Sequence, residues 1–459
     1  MDMGISMQVL GFIACLSLLV LVHELGHFMF ARLFKTRVEK FYLFFNPGFS
    51  LLRMKKIEGR FQFSFLSPKA PEEWANHPES TEWGIGWLPL GGYCSIAGMV
   101  DETKSVKDLA SEPQPWEFRS KKAWQRFFII SGGVLVNFFT AIVIYSAITF
   151  SWGKEYIPLK NAKYGLWFFD SAQYVGFKNG DKIVTVDGET MNLLSDFANK
   201  LLLDNPKEVV VLRNDKLDTI LLKEDSWKKV IHGQFCDFNF PFVIQDVMKG
   251  YPAEKAGLMK GDSLVGLDTM QMYLFSDFQE ELGYAKNKEV DIHFYRNNEL
   301  QNSSVRVDEN GKIGVIPVHY LQFLETVTEH YTFFESIPIG IKEGVGFLTL
   351  YVKQFKRIFT KEGASQVGGF ISIGSIFPKT WDWQRFWLMT AILSVILAFM
   401  NILPIPALDG GYILFILVEM ITGRKPGDKF ISHANTVGFA ILILLMLYVN
   451  GMDVFRLFK

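Results

Sequence analysis

The sequence predicts an α-helical polytopic membrane protein with four transmembrane helices, a β-hairpin region and two exported α+β modules. Three observations carry that reading. Four stretches are apolar over enough residues to cross, or nearly cross, a lipid core of ~30 Å. Lysine and arginine gather at alternate ends of those stretches. The long segment between the second and third stretch is an internal duplication of polar character. A hydrophobic fraction of 49% and a mean hydropathy of +0.16 fit a few spans joined to water-exposed domains, not membrane helices alone. The net charge of −1 and the lack of a basic-aromatic stripe exclude a strongly basic nucleic-acid binder.

The first span is expected over residues 7–34, apolar except for His23, Glu24 and His27. Asp2 stands where a cleaved signal peptide would carry basic residues, and no A-x-A-like site follows, so this stretch is expected to remain as a span. The second is expected over 124–151, the third over 385–408 and the fourth over 433–452. The apolar cores of the last two are short, so flanking residues must complete them. Arg32, Lys35, Arg37 and Lys40 follow the first span, Arg119, Lys121, Lys122 and Arg126 precede the second, and Arg424, Lys425 and Lys429 separate the last two. All fall on one side, which is then cytoplasmic and holds residues 38–118 and a loop over 409–432. Both termini and the stretch from 151 to 385 lie outside; the basic run over 353–361 belongs to that long segment, where charge counts little. Of the three cysteines, Cys15, Cys94 and Cys236, only the last faces outward, so no disulfide framework is expected.

In the exported segment Gly176-Phe-Lys-Asn-Gly-Asp181 recurs as Gly257-Leu-Met-Lys-Gly-Asp262, and Ser195-Asp196-Phe197 recurs at the same offset as Ser276-Asp277-Phe278. Two modules, 160–240 and 241–322, therefore stand in tandem. Ala253, Ala256, Gly257, Leu258, Gly261 and Asp262 resemble the PDZ domain of bacterial proteases; the first copy fits less well, with Gln173-Tyr174-Val175 in place of small residues. Such domains bind peptide C-termini by strand addition, and Ile313-Gly314-Val315-Ile316 resembles the carboxylate-binding loop. The alternative is a pair of modules that only fold and shield the membrane site. In the region 330–384, residues 333–359 are expected to form an amphipathic helix, either on the outer membrane surface or packed on the second module.

The chemistry centres on the first span. His23 and His27, at i and i+4, share one helix face and can reach a single ion; Glu24 beside them can move a proton from water. Three ionisable residues in a lipid-like helix are costly, which favours function over a pair of structural histidines. A catalytic zinc wants a third protein ligand. Glu39 and Glu58 are possible, but Asp409 is the stronger candidate: it lies in Asn401-Ile-Leu-Pro-Ile-Pro-Ala-Leu-Asp-Gly-Gly411, where Pro404 and Pro406 break the helix.

H-E-x-x-H in the first span and N-x-x-P-x-P-x-L-D-G-G near the third resemble the two signatures of the site-two protease family of intramembrane metalloproteases. Gly133-Val-Leu-Val-Asn137 matches that family's G-x-x-x-N pattern. The resemblance implies one zinc ion held by His23, His27 and Asp409, with Glu24 as the base. It implies that Asn401, beside Pro404, helps hold a substrate strand, and that a hairpin ending at Gly91-Gly92-Tyr93 dips into the membrane to receive it. It also implies a bacterial inner-membrane protein, with the PDZ modules on the periplasmic side. Its substrates would be single-span membrane proteins, either anti-sigma factors or remnant signal peptides. Asn46-Pro-Gly-Phe49 and the acidic insert over 67–82, with Glu72, Glu73, Glu79 and Glu82, depart from the family pattern at the expected substrate entrance. Rival readings are a membrane-anchored zincin that cuts soluble cytoplasmic chains, a non-enzymatic PDZ scaffold, and a proton-coupled transporter.

Overall fold

A computed structural model describes residues 3–89, 91–99, 112–230, 235–358, 360 and 368–457; part of the expected cytoplasmic region, at 100–111, and Lys361 of the basic run lie outside the described residues. The chain divides into two compact units, one of apolar helices with a sheet, the other containing Lys154–Glu329.

In the first unit, four helices among the described residues are long and apolar enough to cross a membrane: Gly4–Leu33, Ala123–Trp152, Trp383–Ile402 and Lys429–Phe455. The chain is on these grounds a polytopic membrane protein. The first and second spans touch through bare backbone. A Cβ on Gly26 would stand 2.3 Å from the Gly132 carbonyl oxygen, so these positions admit no side chain. The third span packs on the second through Ala391 and Val395 against Ala141, Ile144 and Tyr145, and Ser394 Oγ donates to the Asn137 carbonyl at 2.7 Å.

The third span ends at Ile402, six residues short of its expected limit. Pro404 disfavours helical backbone at the residue before it, and Leu403 is accordingly extended (φ −60°, ψ 139°). The expected loop after Asp409 is instead a 14-residue helix, Asp409–Thr422, closed by Gly423 in the left-handed region. Its apolar run is too short to cross a bilayer, and its buried Ile413 and Ile416 join Ile129 and Ile130 of the second span. The fourth helix, Asp428–Leu457, extends beyond both expected limits. Its Asn435 accepts from the Ala407 backbone N–H at 3.2 Å and donates to Tyr412 at 2.7 Å, so it braces the proline break.

The expected hairpin is part of a five-stranded sheet: β1 (Val38–Leu43), β2 (Ser50–Ile57), β3 (Arg60–Ser67), β4 (Glu82–Ile85) and β5 (Tyr93–Ile96), in the order β3-β2-β4-β1-β5. Its last two strands, β4 and β5, flank β1, one parallel and one antiparallel to it. The acidic insert before β4 carries the chain across the sheet and makes the parallel pairing possible.

The amphipathic helix Phe333–Ile358 also differs from expectation. It packs a stripe of small residues on the second span: Ser336, Gly340 and Gly344 are buried, and a Cβ on Gly340 would meet Ser146 Oγ at 2.0 Å. Small residues four apart let the two backbones approach, a contact that neither a lipid surface nor a soluble module would require.

In the second unit, Lys154–Tyr156 pairs antiparallel with Val327–Glu329, so the segment is clasped where it begins and ends. Its two halves repeat the same local contacts. Asp181 accepts from Arg213 and from the Lys178 N–H, while Asp262 accepts from Arg296 and from the Met259 N–H. Each half has its own core, around Phe168, Phe177 and Phe197 in the first and Phe242, Phe278 and Ile292 in the second. Leu166–Phe168 pairs with Cys236–Phe238, and Ile244–Val247 with Val315–Pro317, at matching places.

Candidate metal centre

The centre is built where the first two spans touch. His23 and His27 lie one helical turn apart on the face turned to the second span, and both are buried. Gly133 is the floor beneath them: a Cβ there would stand 2.6 Å from His23 Cε1 and 2.7 Å from His27 Nε2. His27 Nδ1 donates to the Ile129 carbonyl at 3.0 Å, which leaves Nε2 free to act as a ligand. His23 Nδ1 stands 3.2 Å from the Asn137 side-chain amide, whose Oδ1 is buried without a partner. Turning that amide half-way round lets Oδ1 accept from an Nδ1–H, which would free His23 Nε2 in the same way.

Asp409 enters from the far side as the first residue of its helix. Gly410 and Gly411 press that helix start onto the proline break: Cβ atoms there would meet the Leu403 and Ile405 carbonyls at 2.0 and 2.7 Å. The Asp409 Oδ2 is 3.2 Å from His23 Nε2 and 3.4 Å from His27 Nε2, and the two imidazole nitrogens are 3.3 Å apart. Donors ~2.05 Å from a tetrahedral ion lie ~3.3–3.4 Å from one another. The three separations therefore match the edges of such a site, and Asp409 Oδ2, buried without a hydrogen-bond partner, is the atom left needing a ligand role. Among the described residues this is the one group of three side chains with metal-ligating spacing. Glu39 lies on β1 and Glu58 in the exposed β2–β3 turn, so neither belongs to it.

Glu24, partly buried, hydrogen-bonds to the Cys94 backbone of β5. The Gly91-Gly92-Tyr93 run arrives with that strand. A Cβ on Gly92 would contact Val20 at 2.9 Å and Glu24 Cγ at 3.6 Å, while the Tyr93 ring stacks on Tyr42 and its hydroxyl donates to Asn46 at 3.1 Å. Asn401 Nδ2 is 3.4 Å from His23 Nε2, and Pro404 lies in the break that follows. Ile313, Gly314, Val315 and Ile316 belong to the second unit, where Gly314 has φ +84° and accepts from the Met248 N–H at 2.9 Å.

A model of peptidase family M50 matches residues 11–68 and 70–445, nearly the whole chain. The chain belongs to peptidase family M50. It is similar along its whole length to the regulator of sigma E protease of Haemophilus influenzae, 27% identical over 472 residues that cover 97% of this chain and 98% of that one. A "putative zinc metalloprotease" of Rickettsia conorii is 25% identical over 461 residues, covering 99% of this chain and all of the relative. One of Borreliella burgdorferi is 26% identical over 471 residues, covering 98% of each chain. As an M50 peptidase the chain is a membrane zinc metalloprotease.

Two features of the M50 site escape sequence reasoning. The contact of Asn137 with His23 was legible only as part of a family pattern, because nothing in the spacing of a second helix says which residue of the first it faces. The link from Glu24 to Cys94 needs the sheet, and β1, a short strand with Glu39 and Lys40 in succession, gives little alternation to read.

Proposed function

We propose that this chain binds one zinc ion through His23, His27 and Asp409 and cleaves single-span membrane proteins within the bilayer. The triangle of donor atoms with tetrahedral edge lengths, set between apolar spans, carries the reading. When bound, zinc supplies Lewis acidity to the scissile carbonyl and to the attacking water. The Glu24 carboxylate, held by the β5 backbone, takes the proton from that water and returns it to the leaving nitrogen. Asn401, beside His23, holds the substrate strand, and Gly91, Gly92, Tyr93 and Pro404 line its path. An extended substrate pairing at the β5 edge would expose the peptide bond that its own helix buries.

The basic flanks support a cytoplasmic position for the sheet, and a periplasmic one for Lys154–Glu329 and both termini, in a bacterial inner membrane. Phe61, Phe63 and Phe65 project from β3 more than half exposed, as lipid-facing residues would. The repeated ion pairs and the Gly314 turn support two PDZ modules, with Ile313–Ile316 as the site for peptide C-termini. The name of the Haemophilus relative supports anti-sigma factors as one substrate class, beside remnant signal peptides.

The test is cleavage of a model single-span substrate in detergent by wild type, Glu24→Gln and Asp409→Asn, with bound zinc quantified. Both variants should stop cutting, Glu24→Gln with zinc retained and Asp409→Asn with zinc weakened. Normal cutting by Asp409→Asn would remove the third-ligand assignment and favour a zincin with another ligand set.

A further inference from the structure

The geometry points to Arg126 and Glu419 as positioning residues that hold Asp409 in register with the two histidines. Arg126 lies at the start of the second span and is only 6% exposed, and its Nη2 donates to Glu419 Oε1 at 2.5 Å. The guanidinium is itself fixed, with Nε donating to the Lys121 carbonyl at 3.0 Å and its plane over the Phe118 ring. Glu419 sits ten residues into the helix that Asp409 begins, ~15 Å from the metal centre at 1.5 Å per residue. Arg126 sits seven residues before Gly133, ~10 Å along the other helix. The pair therefore ties together the two elements that meet again at the centre, one bearing the third ligand and the other the floor under both imidazoles.

What lies between explains why a tie is needed. The seam is Ile413 and Ile416 against Ile129 and Ile130, aliphatic contacts that resist separation but have no directional preference along the helix axis. Among the described residues, the Asp409 helix is fixed lengthwise by the glycines at its start, by the Asn435–Tyr412 hydrogen bond in its first turn and, at its far end, by this ion pair. A largely desolvated, charge-assisted hydrogen bond is directional, and loss of one partner leaves a buried charge that drives rearrangement. A slide of a few tenths of an ångström at Glu419 is transmitted undiminished to Asp409 Oδ2.

This role rests on Asp409 being the third ligand, so the experiment separates the two ideas. Zinc affinity of the full-length protein in detergent is measured by chelator competition for wild type, Glu419→Gln, Asp409→Asn and the double variant. Glu419→Gln should weaken zinc binding on the order of tenfold, as loss of an orienting partner does. It should weaken it no further once Asp409 is already Asn. The reversed pair Arg126→Glu with Glu419→Arg should recover most of the affinity, and it carries the test if Glu419→Gln does not fold. If Asp409→Asn leaves zinc affinity unchanged, the ligand assignment fails and this role with it. If Asp409→Asn weakens binding while Glu419→Gln does not, the positioning role alone is overturned. An equal loss from Glu419→Gln in both backgrounds also overturns it, since that is what general loosening of the fold would give.

Discussion

Gly133→Ala offers the sharpest probe of the metal centre, because it adds one carbon where the structure leaves no room for it. The new Cβ would stand 2.6 to 2.8 Å from three atoms of the His23 and His27 rings. Ordinary carbon contacts begin near ~3.5 Å, so rings or helix must yield by ~0.8 Å. The rings cannot simply rotate away, since His27 is tied to the Ile129 carbonyl and His23 stands against Asn137. Overpacking of this kind costs about 1–3 kcal/mol, and misplacing a reacting geometry by ~1 Å costs ~100-fold in rate. Zinc affinity should therefore fall about tenfold and cleavage by ~10- to 100-fold, while the helix, gaining an alanine, stays folded. Gly346→Ala is the control, because no atom lies within 4 Å of a Cβ placed there. Chelator competition and single-turnover cleavage in detergent read the two effects. Wild-type zinc affinity in Gly133→Ala would refute the placing of both imidazoles over this glycine.

Other consequences lie outside the centre. Glu82→Gln leaves the Arg53 guanidinium, whose side chain is 6% exposed, without its carboxylate; the sheet should lose about 3–5 kcal/mol, seen as lost hydrogen-exchange protection in β2 and β4. Trp74→Ala removes the 2%-exposed anchor of the insert and should cost about 3–5 kcal/mol by the same measurement, with unchanged protection in β2 and β3 counting against its structural role. In the second module burial raises the Asp277 carboxyl above its ordinary value of 3.8, so its favourable contribution is complete below that value and is lost as pH rises through the raised one. Asp277→Asn should remove that loss, leaving Phe275–Tyr284 better protected at pH 7; equal protection in both proteins at pH 7 would contradict the burial effect.

The His23-Glu24-x-x-His27 motif was legible because membrane cost makes it conspicuous: such a set in lipid-like sequence has few structural explanations. Asp409 was legible for a related reason, since two prolines and a carboxylate at a span end need a purpose. What lay hidden was tertiary. The Asp409 helix follows a proline break and carries Gly410-Gly411 in its first turn, so local punctuation argued for a loop, while the Ile413–Ile416 seam against the second span rewards helix formation there. The sheet was hidden because its pairing is set by contacts across the insert. Val38–Leu43 carries Glu39 and Lys40 immediately after a basic flank, and it becomes a central strand only when β4 and β5 arrive on either side.

The acidic insert over 67–82 has a structural task that its packing makes plain. Directly paired residues share a face of a sheet. One face carries Phe63, Met54, Trp83 and Phe41, with Phe28 of the first span packed on the last two. The other carries Gln62, Lys55 and Glu82, with Ser64, Arg53, Gly84 and Tyr42 beside them. A sheet so divided is unstable against an apolar surrounding unless its polar face is covered and its charges paired. The insert does both. Trp74 covers that face, donating from Nε1 to Gln62 and accepting at its carbonyl from Lys55, and the insert ends at Glu82, which takes bonds from Arg53 and Tyr42. Tyr42 in turn stacks on Tyr93, the residue before the Cys94 backbone group that meets Glu24. The insert that departs from the family pattern is thus the one that lets a charged sheet stand beside Glu24 of the first span.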